Sequence, residues 1–371
     1  MAAWISSSRS LVGLVVASLL AMSAVVAATV PAEASATPCH WTVVPNHRPF
    51  GSRGTLEGVA ALSASDAWAV GSVQTNRRAL PLAEHWDGTA WRVVPTPVDG
   101  RHIRVLHDVS ALAVDDVWAV GTQIVRGTGS VHPLIEHWNG SVWTIMRDPR
   151  THGGRAELFA VSAASPTNVW AVGYREPSFT PGPFVAHWNG TRWHVFGAPM
   201  GTMLFDVAAR YSGAVWTVGS NPFGVEHALL AHRTGMAWQA TDVPPRVLTA
   251  VSWRRPFEAW AVGYKPGTRP SFLQPLALHW NGHTWSAIPT PELHESAELR
   301  GVAGISPNRA WAVGTRNFRH PLLMHWNGSS WKVVYGPAVD GFLDDVIRVP
   351  GSHQLWAVGV SSPDPLIMRY C

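Results

Sequence analysis

The chain has 371 residues, of which 14% are charged and 46% hydrophobic, with 33 Gly, 29 Pro and a formal net charge of +4. This composition excludes a disordered chain and points to many short strands and turns rather than helices. The positive excess is too small and too scattered for a nucleic-acid binder, and the length suits one large β-domain.

In chain order, the first 28 residues read as an export leader, with Arg9 as its positive end and an uncharged stretch from Leu11 to Ala28 as its apolar core. Cleavage after Ala28, or after Ala36 in Ala34-Ser35-Ala36, satisfies the small-x-small rule; an uncleaved anchor is the alternative for the same stretch. Pro38 stands where a lipoprotein signal would need a small residue before Cys39. Residues 1–36 are therefore expected to be the leader and 37–371 a single exported domain, extracellular or associated with the cell wall.

The remainder is a repeat. W-x-V-G occurs seven times, at Trp68, Trp118, Trp170, Trp216, Trp260, Trp311 and Trp356, with spacings of 50, 52, 46, 44, 51 and 45. A period of this size fits a four-stranded propeller blade. H-W-[DN]-G-x-x-W follows at His85, His137, His187, His279 and His325, and blade four keeps a weaker form, with Arg233 after His232 in place of the first Trp. Each repeat opens on a Val-centred run such as Leu56-Glu57-Gly58-Val59-Ala60. The inner strand holds that Val, the second strand W-x-V-G and the third H-W, and the fourth starts at the last Trp. Pro81, Pro133, Pro183, Pro275, Pro321 and Pro365 mark third-strand starts, where the missing N–H does least harm. The Asn-Gly or Asp-Gly between strands three and four is a hairpin signal that requires positive φ.

The seventh repeat stops after Pro365-Leu366-Ile367-Met368-Arg369-Tyr370-Cys371 and lacks a fourth strand. Cys39-His40-Trp41-Thr42-Val43-Val44-Pro45 matches the missing piece. The predicted fold is all-β, a seven-bladed propeller with four antiparallel strands per blade, its last blade closed three strands to one by the N-terminal segment. Alignment of the two ends puts Cys39 and Cys371, the two cysteines of the chain, within reach of a disulfide in an oxidising compartment.

Of the 21 Trp, all but Trp4 and Trp253 belong to the repeat and are assigned to packing between blades. The six H-W histidines lie in different blades, and hydrogen bonding rather than metal binding is expected of them. Asn139-Gly140-Ser141 and its equivalents match a glycosylation pattern but are the repeated turns. Asp108, Asp206 and Asp345 occupy equivalent inner-strand positions, where they either hold a channel cation such as Ca²⁺ or cap backbone amides. No cofactor is otherwise expected, and no nucleophile elbow, phosphate loop or zinc-protease helix is present.

Connections between strands two and three and between blades leave a propeller on one face, and here they vary in length and content while the three-to-four turns barely change. Such a face is where a repeat protein binds. It carries Arg77, Arg78, Arg101, Arg104, Arg126, Arg150, Arg155, Arg175, Lys265, Arg269, Arg316 and Arg319, a basic rim suited to an anionic or hydroxyl-rich polymer, a glycan or an acidic protein surface. Trp253, with Arg254 and Arg255, lies at the opposite face as a further candidate contact.

The W-A-V-G and H-W-N-G-x-x-W units resemble repeats of secreted seven-bladed propeller proteins of Gram-positive-type bacteria, over nearly all of the mature chain. That resemblance implies the fold and carries over no site residue. The third and fourth strands are also similar to those of tectonin-type propeller lectins, which would imply sugar sites between blades, but the second strand departs from that pattern. The expected function is a secreted, monomeric, non-catalytic binding or scaffold protein for an extracellular polymer, glycan or protein. The alternative is a propeller lyase or glycosidase, which clustered carboxylates or histidines in a funnel on the variable face would favour.

Overall fold

The computed structural model describes residues 39–46, 53–76, 78–149, 154–176, 182–198, 203–210, 213–220, 228–235, 237–241, 243, 246–268 and 272–371. The leader, Arg77, Arg150 and Arg269 lie outside the described residues. Among those described, twenty-eight strands form seven four-stranded antiparallel sheets. Six sheets take four consecutive strands each, with inner strands at Arg53–Ser63, His102–Ala113, Arg155–Ser165, Met203–Ala209, Val247–Arg255 and Ala297–Ser306. The seventh joins Phe342–Arg348, Leu355–Ser361 and Asp364–Tyr370 to the N-terminal strand Trp41–Val43.

The closure follows the predicted register. Trp41 pairs with Tyr370 as Trp91 pairs with Trp86 in blade one. The Cys39–Cys371 disulfide ties the same two strands, with Cα atoms 4.9 Å apart. The three-to-four turns carry the expected conformation: Gly140 has φ 89°, and the Asn139 side-chain oxygen accepts from the Ser141 and Val142 amides at 3.0 Å.

Packing between blades is aromatic. The Trp68 ring lies 4.5 Å from His85 of its own blade and 5.1 and 5.2 Å from Trp138 and Trp143 of the next. The pattern repeats around the ring and crosses the closure, where Trp356 meets Trp86 and Trp91 at 5.0 and 5.1 Å. In blade four the Arg233 guanidinium takes the place of the missing Trp, 4.8 Å from the Trp170 centroid, a cation–π contact with an electron-rich face. His85, His137 and His187 each bond a side-chain oxygen at their own first turn, Asp66, Asp116 and Asn168, at 2.9 Å. Trp253 is half-buried against the same layer, 5.8 Å from His232 and 6.5 Å from Trp216.

Candidate functional site

The Gly of W-x-V-G leads to the site. In all seven blades the inner strand shifts register opposite this Gly, between Leu56 and Gly58 in blade one and at the equivalent step elsewhere. A β-bulge leaves one residue unpaired and re-aims its side chain. A Cβ on Gly71, Gly121 or any of the other five would overlap a carbonyl oxygen of its own inner strand. The close approach that requires Gly is therefore within the blade.

The residue released by each bulge is Glu57, His107, Phe159, Phe205, Thr249, Arg300 or Asp344, one from each blade. These seven ring the channel mouth and line a funnel of about 500 Å³ together with Thr55, Val247, Tyr264 and Phe342. Its walls are the first halves of inner strands and the end of a second strand, so the funnel opens on the variable-loop face. Sequence reasoning passed over this ring. Its signal is the x of Leu-x-(Gly/Ala/Asp)-Val, a position that changes chemical class around the ring between fixed neighbours.

The polar members are tied in pairs across blade boundaries. Glu57 Oε2 lies 2.6 Å from His107 Nδ1, and His107 Nε2 lies 3.1 Å from Thr122 Oγ1, which donates to Glu157 at 3.0 Å. Arg300 donates to Asp344 at 2.8 Å and to Glu298 at 2.6 Å, with its guanidinium 4.4 Å from the Phe342 ring. Burial pushes the Asp344 carboxyl up to about 6, and the Arg300 charge opposes a further rise. Phe159 and Phe205 stand side by side, 6.3 Å between centroids and half-buried.

Deeper in the channel, a cavity of about 390 Å³ is lined by Asp108, Asp206 and Asp345 among others. Each aspartate accepts from two backbone amides, that of the next residue and one in the following blade: Val161 at 2.7 Å, Val251 at 2.7 Å and Val59 at 3.0 Å. The small residues Gly58 and Gly301 are explained at the same time, since a Cβ on either would strike the backbone of Asp108 or Asp345. Burial pushes Asp206 up to about 7 and Asp345 to about 6, while burial and the charges of Asp345 and Asp206 raise Asp108. Of the two roles considered for these carboxylates, the geometry displays amide capping between blades. Among the described residues no group of three or more His, Cys, Asp or Glu is arranged to hold a metal ion.

Part of the basic rim is compensated: among the described residues Arg104, Arg155, Arg316 and Arg319 form ion pairs. Arg104 is 5% exposed and reaches Asp99 at 2.6 Å and Gln123 at 2.8 Å, a position on the inner strand that removes it from the surface. Arg155 pairs with Glu157, Arg316 with Glu295 and Arg319 with Asp340, and Arg78 donates to the Asp99 and His102 carbonyls. Arg101 and Arg126 are exposed, while Arg175 and Lys265 are half-buried.

Fold and site together define a seven-bladed β-propeller with a mixed aromatic and charged funnel on its variable face. No family model matches the chain, and no curated protein does. Solved structures similar to it include YCF48 bound to D1 peptide, at 13% identity and TM-score 0.58 over 89% of this chain and 96% of that one. U3-55K is similar at 10% identity and TM-score 0.59, covering 89% and 98%. The β-propeller domain of Cps50 (Swd1) from Myceliophteria thermophila is similar at 10% identity and TM-score 0.55, covering 90% and 99%. At these identities the likeness is one of fold.

Proposed function

We propose that the chain is an exported, non-catalytic binding propeller that holds an extracellular partner, a protein segment first and a glycan second, in the channel-mouth funnel of its variable-loop face. The observation that carries this is the set of seven bulges, each aiming one side chain, of six kinds in all, at one mouth. A repeated structural device fixes position while the residue it presents varies, and this is how a repeat scaffold builds an asymmetric site. Phe159, Phe205, Tyr264 and Phe342 are all half-buried there, and half-exposed aromatics beside a few oriented polar groups suit a ligand with an apolar body and a polar end. YCF48, of the same fold, binds a peptide, which supports an extended segment as the occupant. Export is supported by the leader and by the disulfide, a bond that persists in oxidising compartments.

The test is binding to peptide and glycan arrays by the mature protein and by Phe159→Ala/Phe205→Ala. These rings are half-exposed, so the variant is expected to keep its melting temperature and lose about tenfold or more in affinity for any ligand found. Equal binding by the variant, or a ligand mapped to the opposite face, would sink the reading.

A second reading, a polysaccharide lyase or hydrolase, is favoured by the Glu57–His107 contact and the raised Asp344 in one funnel. Turnover of a polysaccharide that Glu57→Gln abolishes while binding persists would establish it in place of the first.

A further inference from the structure

At the opposite mouth of the channel the charge balance differs. Arg210, Arg254 and Arg348 lie at or next to the ends of the inner strands of blades four, five and seven, and Arg309 lies at the first turn of blade six. Three of them reach across a blade boundary to the next blade, and Arg348 stays within its own. Arg210 donates to the Trp253 and Arg254 carbonyls with its guanidinium over the Trp253 ring, and Arg254 donates to the Ile305 carbonyl in blade six. Arg309 meets the His353 ring at 3.4 Å, and Arg348 donates to the Ser352 carbonyl at 2.9 Å.

None of these four forms an ion pair among the described residues, whereas Arg104, Arg155, Arg316 and Arg319 of the rim each do. Their observed partners are carbonyls and a ring nitrogen. A guanidinium has five N–H donors, so most of the donor capacity here is unspent, and Arg309 Nε is buried with no acceptor. Arg348 is close enough to two of the others to feel them: burial, then the charges of Arg254 and Arg309, lower its pKa. A carboxyl beside Arg254 is Glu258, 3% exposed and without a hydrogen-bond partner, and burial raises its pKa against the pull of Arg254 and Arg255. Like charges held together, half-buried and without counter-charge, carry a standing cost, which an oxyanion accepting from several guanidiniums relieves.

We infer that this arginine cluster, on the face of the invariant turns, is a binding site for a phosphate or sulfate oxyanion, free or borne on a polymer. The planar fork of Arg suits such an oxyanion by paired N–H donation, and Trp253 supplies a flat wall beside it. The site lies across the channel from the funnel and does not depend on the reading given for it.

The experiment is isothermal titration of the mature protein with inorganic phosphate, sulfate and polyphosphate at low ionic strength, with chloride as the control for screening. Saturable heat is expected for phosphate, and Arg254→Gln/Arg348→Gln is expected to weaken it about tenfold or more, whereas Lys332→Gln, exposed on an outer strand, leaves it unchanged. Tighter binding of polyphosphate per phosphate assigns a polymer-borne group, and equal binding assigns a free ion. Because Arg254 also caps a carbonyl, thermal unfolding of the unmodified protein gives an independent measure: phosphate should raise the melting temperature above that in chloride of equal ionic strength. Absence of saturable heat, an identical response to phosphate and chloride, or undiminished binding by a folded double variant would overturn the site.

Discussion

Glu84 and Glu136 are 0% exposed, and neither carboxyl has a hydrogen-bond partner. Each stands just before the His of its H-W motif, where blades six and seven have Met324 and Met368. Glu84 shares its strand face with Leu82 and Trp86, which pack into the core with Trp356 and Ile367. Burial pushes both carboxyls up from 4.5 to about 8, so the folded state holds their protons at pH values where the unfolded chain has released them. The stabilisation is complete below about pH 4.5 and is lost as pH rises to about 8, at about 1.4 kcal/mol per pH unit for each glutamate. His187, lowered to about 4 by burial and then by Arg233 and His194, works in the opposite direction below about pH 6.5. Between about pH 6.5 and 8 each glutamate is thus expected to remove roughly 2 kcal/mol. Glu84→Met/Glu136→Met should melt higher than the parent at about pH 8.5 and show a shallower decline from pH 6.5. An unchanged slope in thermal unfolding would contradict this assignment.

At the scale of the strand, the bulge and its Gly form one device. In blade three, Gly173 faces the Glu157 carbonyl while Phe159 is the residue released toward the channel. Gly173→Ala forces the two strands apart, and a destabilisation of about 2–4 kcal/mol is expected, because a methyl cannot be placed there without moving backbone. Gly197→Ala, where an added Cβ meets nothing, is the control and should change stability by less than about 1 kcal/mol. Urea unfolding of both variants decides the matter, and equal midpoints would remove the steric role assigned to the W-x-V-G glycine. The inner strands also tie each blade to the next by different means: the Glu57–His107 and Arg300–Asp344 pairs, the three aspartates, and Ser162 and Ser252, which accept from the Ala209 and Gly304 amides at 3.0 and 3.1 Å. Polar members of the funnel thus serve the ring as well as the mouth, which is why Phe159 and Phe205 are the cleaner probes of binding.

For the whole molecule, the closure is the point of weakness in a ring of otherwise local sheets. The strand Trp41–Val43 has three residue pairs with its partner, and Trp41 fills the aromatic layer 5.4 Å from Trp311. The disulfide spans a sequence separation of 332. In the chain-entropy model so long a loop contributes about 6 kcal/mol, above the usual 2–4 kcal/mol of a disulfide. Cys39→Ser, or reduction of the parent, is expected to lower the melting temperature by several degrees, and deletion through Pro45 more severely, since it removes a strand and a buried Trp. A melting temperature indifferent to reductant would show that strand pairing alone holds the ring.

The blade count, the strand roles, the split seventh blade and the cysteine pair were all readable from the chain. A propeller repeats one local unit, and each unit writes its turns, its Pro and its packing Trp at fixed offsets. The pairing of some rim arginines was not readable from the chain, because charge compensation is spatial: Arg319 and Asp340, or Arg316 and Glu295, are 21 residues apart and become partners only when adjacent loops converge. The funnel escaped notice for a related reason. A bulge leaves no mark in a period-two pattern except one odd residue, and seven such residues acquire a common purpose only when ring closure brings positions some fifty apart in sequence to a single mouth. Short-range periodicity therefore specified the blades, while the site came from the meeting of their edges.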